Sequence, residues 1–188
     1  MLENTEMKKD YRDYLKKDDE CVKKMLDNLT TDRRSVLKRF VGTSLSRAPL
    51  TALIPFFSLV DCPPDGWSKE LEACFFVACF MSAYDIYENG KTPVENVLKT
   101  IYKKKETSDS TKHKIEMLFD KKMDVRASNI KALSWIISVA DNKTLKNIDV
   151  VKLLHDLKYW DSTEPLNSQK AKWAKKVICQ EKDANFPK

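Results

Sequence analysis

The sequence predicts an all-α protein of two packed helical subdomains, with about eight to nine helices in total. Three observations carry this. Only 3 of 188 residues are Gly, against ~7% in an average protein, so the chain lacks the φ > 0 residues that hairpins and phosphate-cradling loops require. Apolar residues recur at i, i+3, i+4 and i+7 along most of the chain. Helix start signals recur at helix-length intervals.

Taken in order, the predicted helices run over 8–28, 32–45, 49–60, 68–88, 92 onward, 110–120, 124–140, 149–160 and 168–181. The segment from Ser68 to Glu88 carries Leu71, Cys74, Phe75, Ala78, Cys79 and Tyr84 on helical spacing. It is apolar nearly all round, as a central buried helix must be, and Gly90 is expected to stop it. Thr92-Pro93-Val94-Glu95 combines an N-cap Thr, a Pro at the first helical position and a Glu three residues on, the pattern of a capping box. The stretch Lys103 to Ser110 has no apolar side chain and reads as a linker, which gives subdomains over 21–105 and 106–188. Residues 1–20 read as a charged, helical N-terminal extension.

Charge and composition narrow the function. Lys+Arg number 34 and Asp+Glu 28, a formal net charge of +6, in a chain with 10% aromatics. This is the composition of a folded domain, not of a disordered tail. The first 28 residues contain no apolar run of the secretory type, and the longest uncharged stretches, Ala48 to Val60 and Ala73 to Tyr84, fall short of the ~18 residues a spanning helix needs. No membrane association is expected. The five cysteines, Cys21, Cys62, Cys74, Cys79 and Cys179, are scattered and odd in number, which reads as buried thiols in a reducing, cytoplasmic setting.

Catalytic signatures are scarce. The chain has no GxxxxGK[ST], HExxH, CxxC or GxSxG pattern. His155-Asp156, with His113 upstream, is the one dipeptide that suggests an HD-type metal hydrolase, but two histidines in the whole chain are too few for most such sites. The plainer expectation is an exposed His155 beside a structural Asp156. Trp135, Trp160 and Trp173 are expected in the packing of the last helices rather than as base-stacking platforms. No catalytic residue, metal site or cofactor is therefore assigned. The basic residues do cluster: Arg33, Arg34, Lys38, Arg39 and Arg47 face Asp32 alone between Thr30 and Val60. Arg34 and Lys38, four apart, are expected on one exposed helix face that attracts phosphates. A second cluster comprises Lys170, Lys172, Lys175, Lys176 and Lys182.

The C-terminal residues carry a resemblance. Asp149-Val150-Val151-Lys152-Leu153-Leu154-His155-Asp156-Leu157-Lys158-Tyr159-Trp160-Asp161, followed by Gln169-Lys170-Ala171-Lys172-Trp173-Ala174-Lys175, resembles the ending of the CasB family, the small subunit of type I-E CRISPR Cascade complexes. That ending has a Leu-Leu-x-Asp-Leu-x-x-Trp helix and then a basic helix holding Trp-Ala. Leu37-Lys38-Arg39 stands where the family has Leu-Arg-Arg, and Ser46-Arg47-Ala48-Pro49 precedes the expected apolar helix. Glu72 to Ala78 resembles the family's long buried helix. Lys112 to Phe119 stands where Arg-Arg-Phe-x-x-Leu-Leu is usual, and Ile130-Lys131-Ala132-Leu133 replaces a second Leu-Arg-Arg. The resemblance covers about residues 21 to 180. His113-Lys114 for Arg-Arg, and Lys131-Ala132 for another such pair, keep charge but lose the planar two-pronged guanidinium.

What the resemblance implies is a non-catalytic subunit, present with a second copy of itself in a guide-RNA surveillance complex. Its partners would be the backbone and large subunits with CRISPR RNA, and the target and displaced DNA strands of an R-loop. The contacts to DNA would come from Arg33, Arg34, Lys38, Arg39 and Arg47, with Lys69, Lys114, Arg126 and Lys131 carried over from the second set of positions. Two other readings stay open on the residues themselves: a helical protein-interaction module without a nucleic-acid role, and the hydrolase built on His155-Asp156.

Overall fold

The computed structural model describes residues 3–60, 68–120, 133, 135, 137–160 and 168–178, with the backbone alone at 3–14, 69 and 120. Among these residues the chain is all-α, and extended pairing is limited to an isolated parallel bridge between Thr92 and Ile148. The helices are α1 (Glu3–Asn28), α2 (Thr31–Leu37), α3 (Leu50–Phe57), α4 (Lys69–Ala83), α5 (Val94–Lys103), α6 (Asp109–Asp120), α7 (Asn142–Lys146), α8 (Val150–Lys158) and α9 (Gln169–Ile178). Two 3-10 turns, Lys38–Phe40 and Leu45–Arg47, lie between α2 and α3. The helix expected over 124–140 lies outside the described residues except for helical positions at 133, 135 and 137.

The apolar α4 sits at the centre, as its composition requires. Every residue from Leu71 to Ser82 is buried. The Ser68 Oγ caps its first turn by accepting from the Leu71 N–H at 3.1 Å, a standard use of Ser at a helix start. Around α4 pack α2, both 3-10 turns and α8, while α1 lies along α8, and α5 and α6 lie against α9. One continuous apolar cluster runs from Val22 to Val177. Its aromatic contacts include Phe56 edge-on to Phe75 at 5.1 Å and Trp160 edge-on to Trp173 at 5.0 Å, the arrangement favoured by ring quadrupoles. Trp160 and Trp173 are both buried, as expected; Trp135 is 43% exposed and departs from that expectation.

Several boundaries differ from the sequence reading for identifiable reasons. The helix expected over 32–45 ends at Leu37, because the chain tightens into a 3-10 turn and then turns at Gly42, whose φ of 81° is left-handed. The stop of α4 is not Gly90. The helix ends at Ala83, Asp85 takes a left-handed φ of 52°, and the Ile86 N–H returns to the Met81 carbonyl at 3.0 Å, so an aspartate fills the role usually given to glycine. Gly90 instead permits close approach: a Cβ there would lie 2.1 Å from the Asn147 carbonyl carbon and oxygen. The capping box also fails. Pro93 is the cap of α5, Thr92 is taken up by Asn147, and Glu95 turns inward. Between α5 and α6 the expected linker is a short turn, held by the Thr107 hydroxyl donating to the Ile101 carbonyl at 2.6 Å.

Buried charge joins helices that are far apart in sequence. Asp18 of α1, 2% exposed, is 3.0 Å from His155 Nδ1 and accepts from Lys158 Nζ at 2.5 Å. The N-terminal stretch is thus tied to α8. Burial opposes ionisation of Asp18, but the hydrogen bonds from His155 and Lys158 outweigh it and hold its carboxyl below the ordinary 3.8. A second node lies between α5, α8 and α9, where Glu95 Oε1 is 3.2 Å from both Lys152 and Lys176. Lys152 also pairs with Asp156, which accepts from Trp173 Nε1 at 2.8 Å.

Two outcomes follow from this packing. Trp173→Ala removes a fully buried ring and the indole donor to Asp156, and should cost about 3 to 5 kcal/mol in urea unfolding. Asp18→Asn should cost about 3 kcal/mol by removing the buried carboxylate that faces His155 and the Lys158 ammonium. Because the folded carboxyl titrates below 3.8, its contribution is complete above that pH and is lost as pH falls beneath it. Thermal unfolding followed from pH 5 downward should decline less steeply in Asp18→Asn than in wild type.

Candidate nucleic-acid interface

The basic segment between α2 and α3 is shaped by two leucines. Leu37 and Leu45 are both fully buried, and the 3-10 turns on which they sit or border pack on α4. The Leu45 N–H donates to the Glu72 carboxylate of α4 at 2.8 Å, which fixes the second turn. Tight 3-10 turns rotate neighbouring side chains apart. With the leucines committed inward, Lys38, Arg39 and Arg47 stand exposed. Among the described residues none of these three forms an ion pair.

Arg34 does not share that face. It is 5% exposed, and its guanidinium donates to the Leu29 carbonyl at 3.1 Å and the Met81 carbonyl at 3.0 Å while lying 4.2 Å from the centre of the Tyr87 ring. The expected pairing of Arg34 with Lys38 on one exposed face is therefore corrected: Arg34 fastens α2 to the carboxyl end of α4. The physical reason is that Met81 and Leu29 present carbonyls at helix ends, and a five-donor guanidinium satisfies them where water does not reach. Arg33 is half-buried and donates to the Asn28 carbonyl at 2.6 Å, closing the end of α1.

The remaining candidate positions are dispersed. Lys114 is exposed on α6, but its ammonium lies 3.9 Å above the Trp135 ring, a cation–π contact that the sequence reading missed because 21 residues separate the partners. Lys69 opens α4 and its side chain lies outside the described residues, as do Arg126 and Lys131. The structure thus brings together Lys38, Arg39 and Arg47 on neighbouring turns, and sets Arg34 and Lys114 to other contacts.

The dipeptide considered for metal chemistry is spent on packing. His155 is 3% exposed, not exposed as expected, and faces Asp18; Asp156 faces Lys152 and Trp173. No group of three or more His, Cys, Asp or Glu able to hold a metal ion occurs among the described residues. Nor is any described helix long and apolar enough to cross a membrane.

Known structures supply the comparison. The fold matches the crystal structure of a CRISPR-associated protein of the Cse2 family from Thermus thermophilus, with a TM-score of 0.60 over 82% of this chain and 96% of that one, at 19% sequence identity. This chain has the Cse2 fold. No protein-family model matches the sequence, and no curated protein matches it. The Cse2 fold is all-α here, as the Gly-poor composition predicts, and its coverage of nearly the whole of the Thermus protein means that the helices align as a set rather than as a fragment.

The divided roles of the basic residues give a stability contrast. Arg34→Ala strips two buried carbonyls of a charged donor and should cost about 2 to 3 kcal/mol. Lys38→Ala combined with Arg39→Ala should stay within about 0.5 kcal/mol of wild type, as exposed charges usually do. Chemical denaturation of the purified variants checks both values.

Proposed function

We propose that this chain is a non-catalytic small subunit of a CRISPR RNA-guided surveillance complex, binding DNA through Lys38, Arg39 and Arg47 and favouring the open R-loop. The observation that carries the proposal is the conjunction of the Cse2 fold with three exposed basic residues on two turns pinned to α4. Cse2 is the other name of the CasB family that the C-terminal motifs resemble, so motif and fold point the same way. Helical subdomains on either side of residue 105, a second copy of the chain, backbone and large subunits and CRISPR RNA belong to the same reading, as does a cytoplasmic location. Arg33 is a secondary contact, Lys114 a further one beside Trp135, and Lys69, Arg126 and Lys131 complete the set by carry-over.

The chemistry suits the task. Exchanging a DNA duplex for an RNA–DNA hybrid is close to balanced, so sequence-blind phosphate contacts are enough to tip it. Lysine and arginine on exposed turns supply such contacts without a pocket and without reading bases. A second reading has its own observation: Leu50 and Ile54 of α3 are 72% and 69% exposed and, four residues apart, share a helix face. That favours a protein-interaction module in which the basic residues serve solubility alone.

Salt dependence separates the two. Fluorescence anisotropy of single-stranded DNA, titrated with the protein over a range of potassium chloride, should give a log–log slope to which each neutralised phosphate adds about 0.7. Lys38→Ala with Arg39→Ala should lower that slope and weaken binding evenly across sequences, whereas Arg34→Ala should lower stability and leave the slope alone. In the assembled complex the double variant should load guide RNA normally and form fewer stable R-loops. An unchanged slope with normal R-loops removes this face and shifts the assignment to Lys114 and Lys131; absence of DNA binding altogether supports the interaction module.

A further inference from the structure

Cys21 of α1 and Cys74 of α4 are 53 residues apart in sequence, yet their sulfurs lie 3.8 Å from each other. Both are free thiols, Cys21 half-buried and Cys74 buried. Both line a cavity of about 380 Å³, whose wall also includes Lys17, Lys24, Leu59 and Glu70. We propose that Cys21 and Cys74 form a peroxide-responsive dithiol, whose closure to a disulfide staples α1 onto α4. This inference is independent of the nucleic-acid reading.

The geometry divides the labour between the two sulfurs. Both sulfurs border the cavity, but Cys21 is the less buried of the two, and the hydrogen bond with Cys74 favours its thiolate; burial opposes that charge and the nearby Lys158 ammonium assists it, with a net lowering of the Cys21 thiol below its ordinary 9.0. Lys158 is held in place by Asp18 Oδ1 at 2.5 Å and Glu70 Oε1 at 2.6 Å. The contact with Cys21, together with burial, keeps Cys74 protonated well above the ordinary thiol range. A thiolate is the reactive form toward peroxide. The contrast within the chain is Cys79, buried on the same helix, whose thiol is pushed up by burial alone.

The chemistry balances with hydrogen peroxide as oxidant. The Cys21 thiolate attacks one peroxide oxygen; an S–O bond forms, the O–O bond breaks and hydroxide leaves, taking a proton to become water. Cys74 sulfur then attacks the sulfur of the Cys21 sulfenic acid; an S–S bond forms, the S–O bond breaks, and the departing hydroxide takes the Cys74 proton as a second water. Two thiols are oxidised and one peroxide is reduced to two waters. A disulfide S–S bond is ~2.05 Å, so closure requires the sulfurs, 3.8 Å apart in the dithiol, to approach each other. In a reducing compartment the pair rests as dithiol, and a small dithiol reductant reverses the step.

The test treats the full-length protein with dilute hydrogen peroxide, blocks the remaining thiols and maps linked peptides without reduction. The expected result is a Cys21–Cys74 linked peptide, a loss of two titratable thiols, and a rise in Tm on the order of 5 to 15 °C from closing a loop of this length, all reversed by dithiothreitol. Cys79→Ser should keep the linked peptide, and Cys21→Ser should abolish both it and the Tm shift. A Cys21–Cys62 peptide in place of Cys21–Cys74 overturns the assignment. So does conversion of Cys21 to sulfinic acid with Cys74 still free, or a disulfide found only between two chains. Mapping on the wild-type chain reads these outcomes directly, without depending on the folding of a variant at the buried Cys74.

Discussion

A helix with no polar face cannot lie at a surface, and α4 is such a helix. From Leu71 to Ser82 every side chain is out of water, so neighbours must cover it on all sides. The positions of α2, the two 3-10 turns and α8 are answers to that one requirement. It also accounts for the few polar groups in its surroundings. Glu72, buried on α4, is accepted there because its carboxylate takes up the Leu45 N–H, and the Met81 carbonyl near its end is satisfied by Arg34.

Packing around α4 and the helices beside it joins parts of the chain that are distant in sequence, and buried charge ties them together. Asp18 meets His155 and Lys158, and Glu95 meets Lys152 and Lys176. Each node costs desolvation that its partners offset, so it adds little net stability while both sides are in place and becomes costly once one side is removed. The same accounting separates the basic residues by role. A cation whose donors are consumed by helix-end carbonyls, like Arg34, is part of the framework, while Lys38, Arg39 and Arg47 keep their charge in solvent.

Much of this was legible in the chain. Scarce glycine and recurrent helical spacing foretold an all-α fold, the apolar run from Leu71 foretold the central helix, and the stripes ending in Trp160 and Trp173 foretold their burial. The Leu-Leu-x-Asp-Leu-x-x-Trp and Trp-Ala motifs were readable for a related reason: they encode a packing node, in which Asp156 accepts from the Trp173 indole, and a node of that kind constrains residue types at fixed positions. Local patterns misled where a residue served two possible roles. Glu95 fits a capping box and Gly90 fits a helix stop, yet one is drawn to Lys152 and Lys176 and the other is held against Asn147.

The sequence by itself determined the secondary structure class, the buried helix and the presence of excess cations, because these depend on composition and on spacings of three and four residues. Tertiary structure decided which cations face water, where Asp18, His155 and Glu95 find partners, and that Cys21 and Cys74 touch. Those outcomes turn on helices separated by 50 to 140 residues meeting at particular rotations about their axes. A rotation of about 100°, the step between successive residues of a helix, moves a side chain from solvent to core, and that rotation is set by the packing partners rather than by the helix's own sequence.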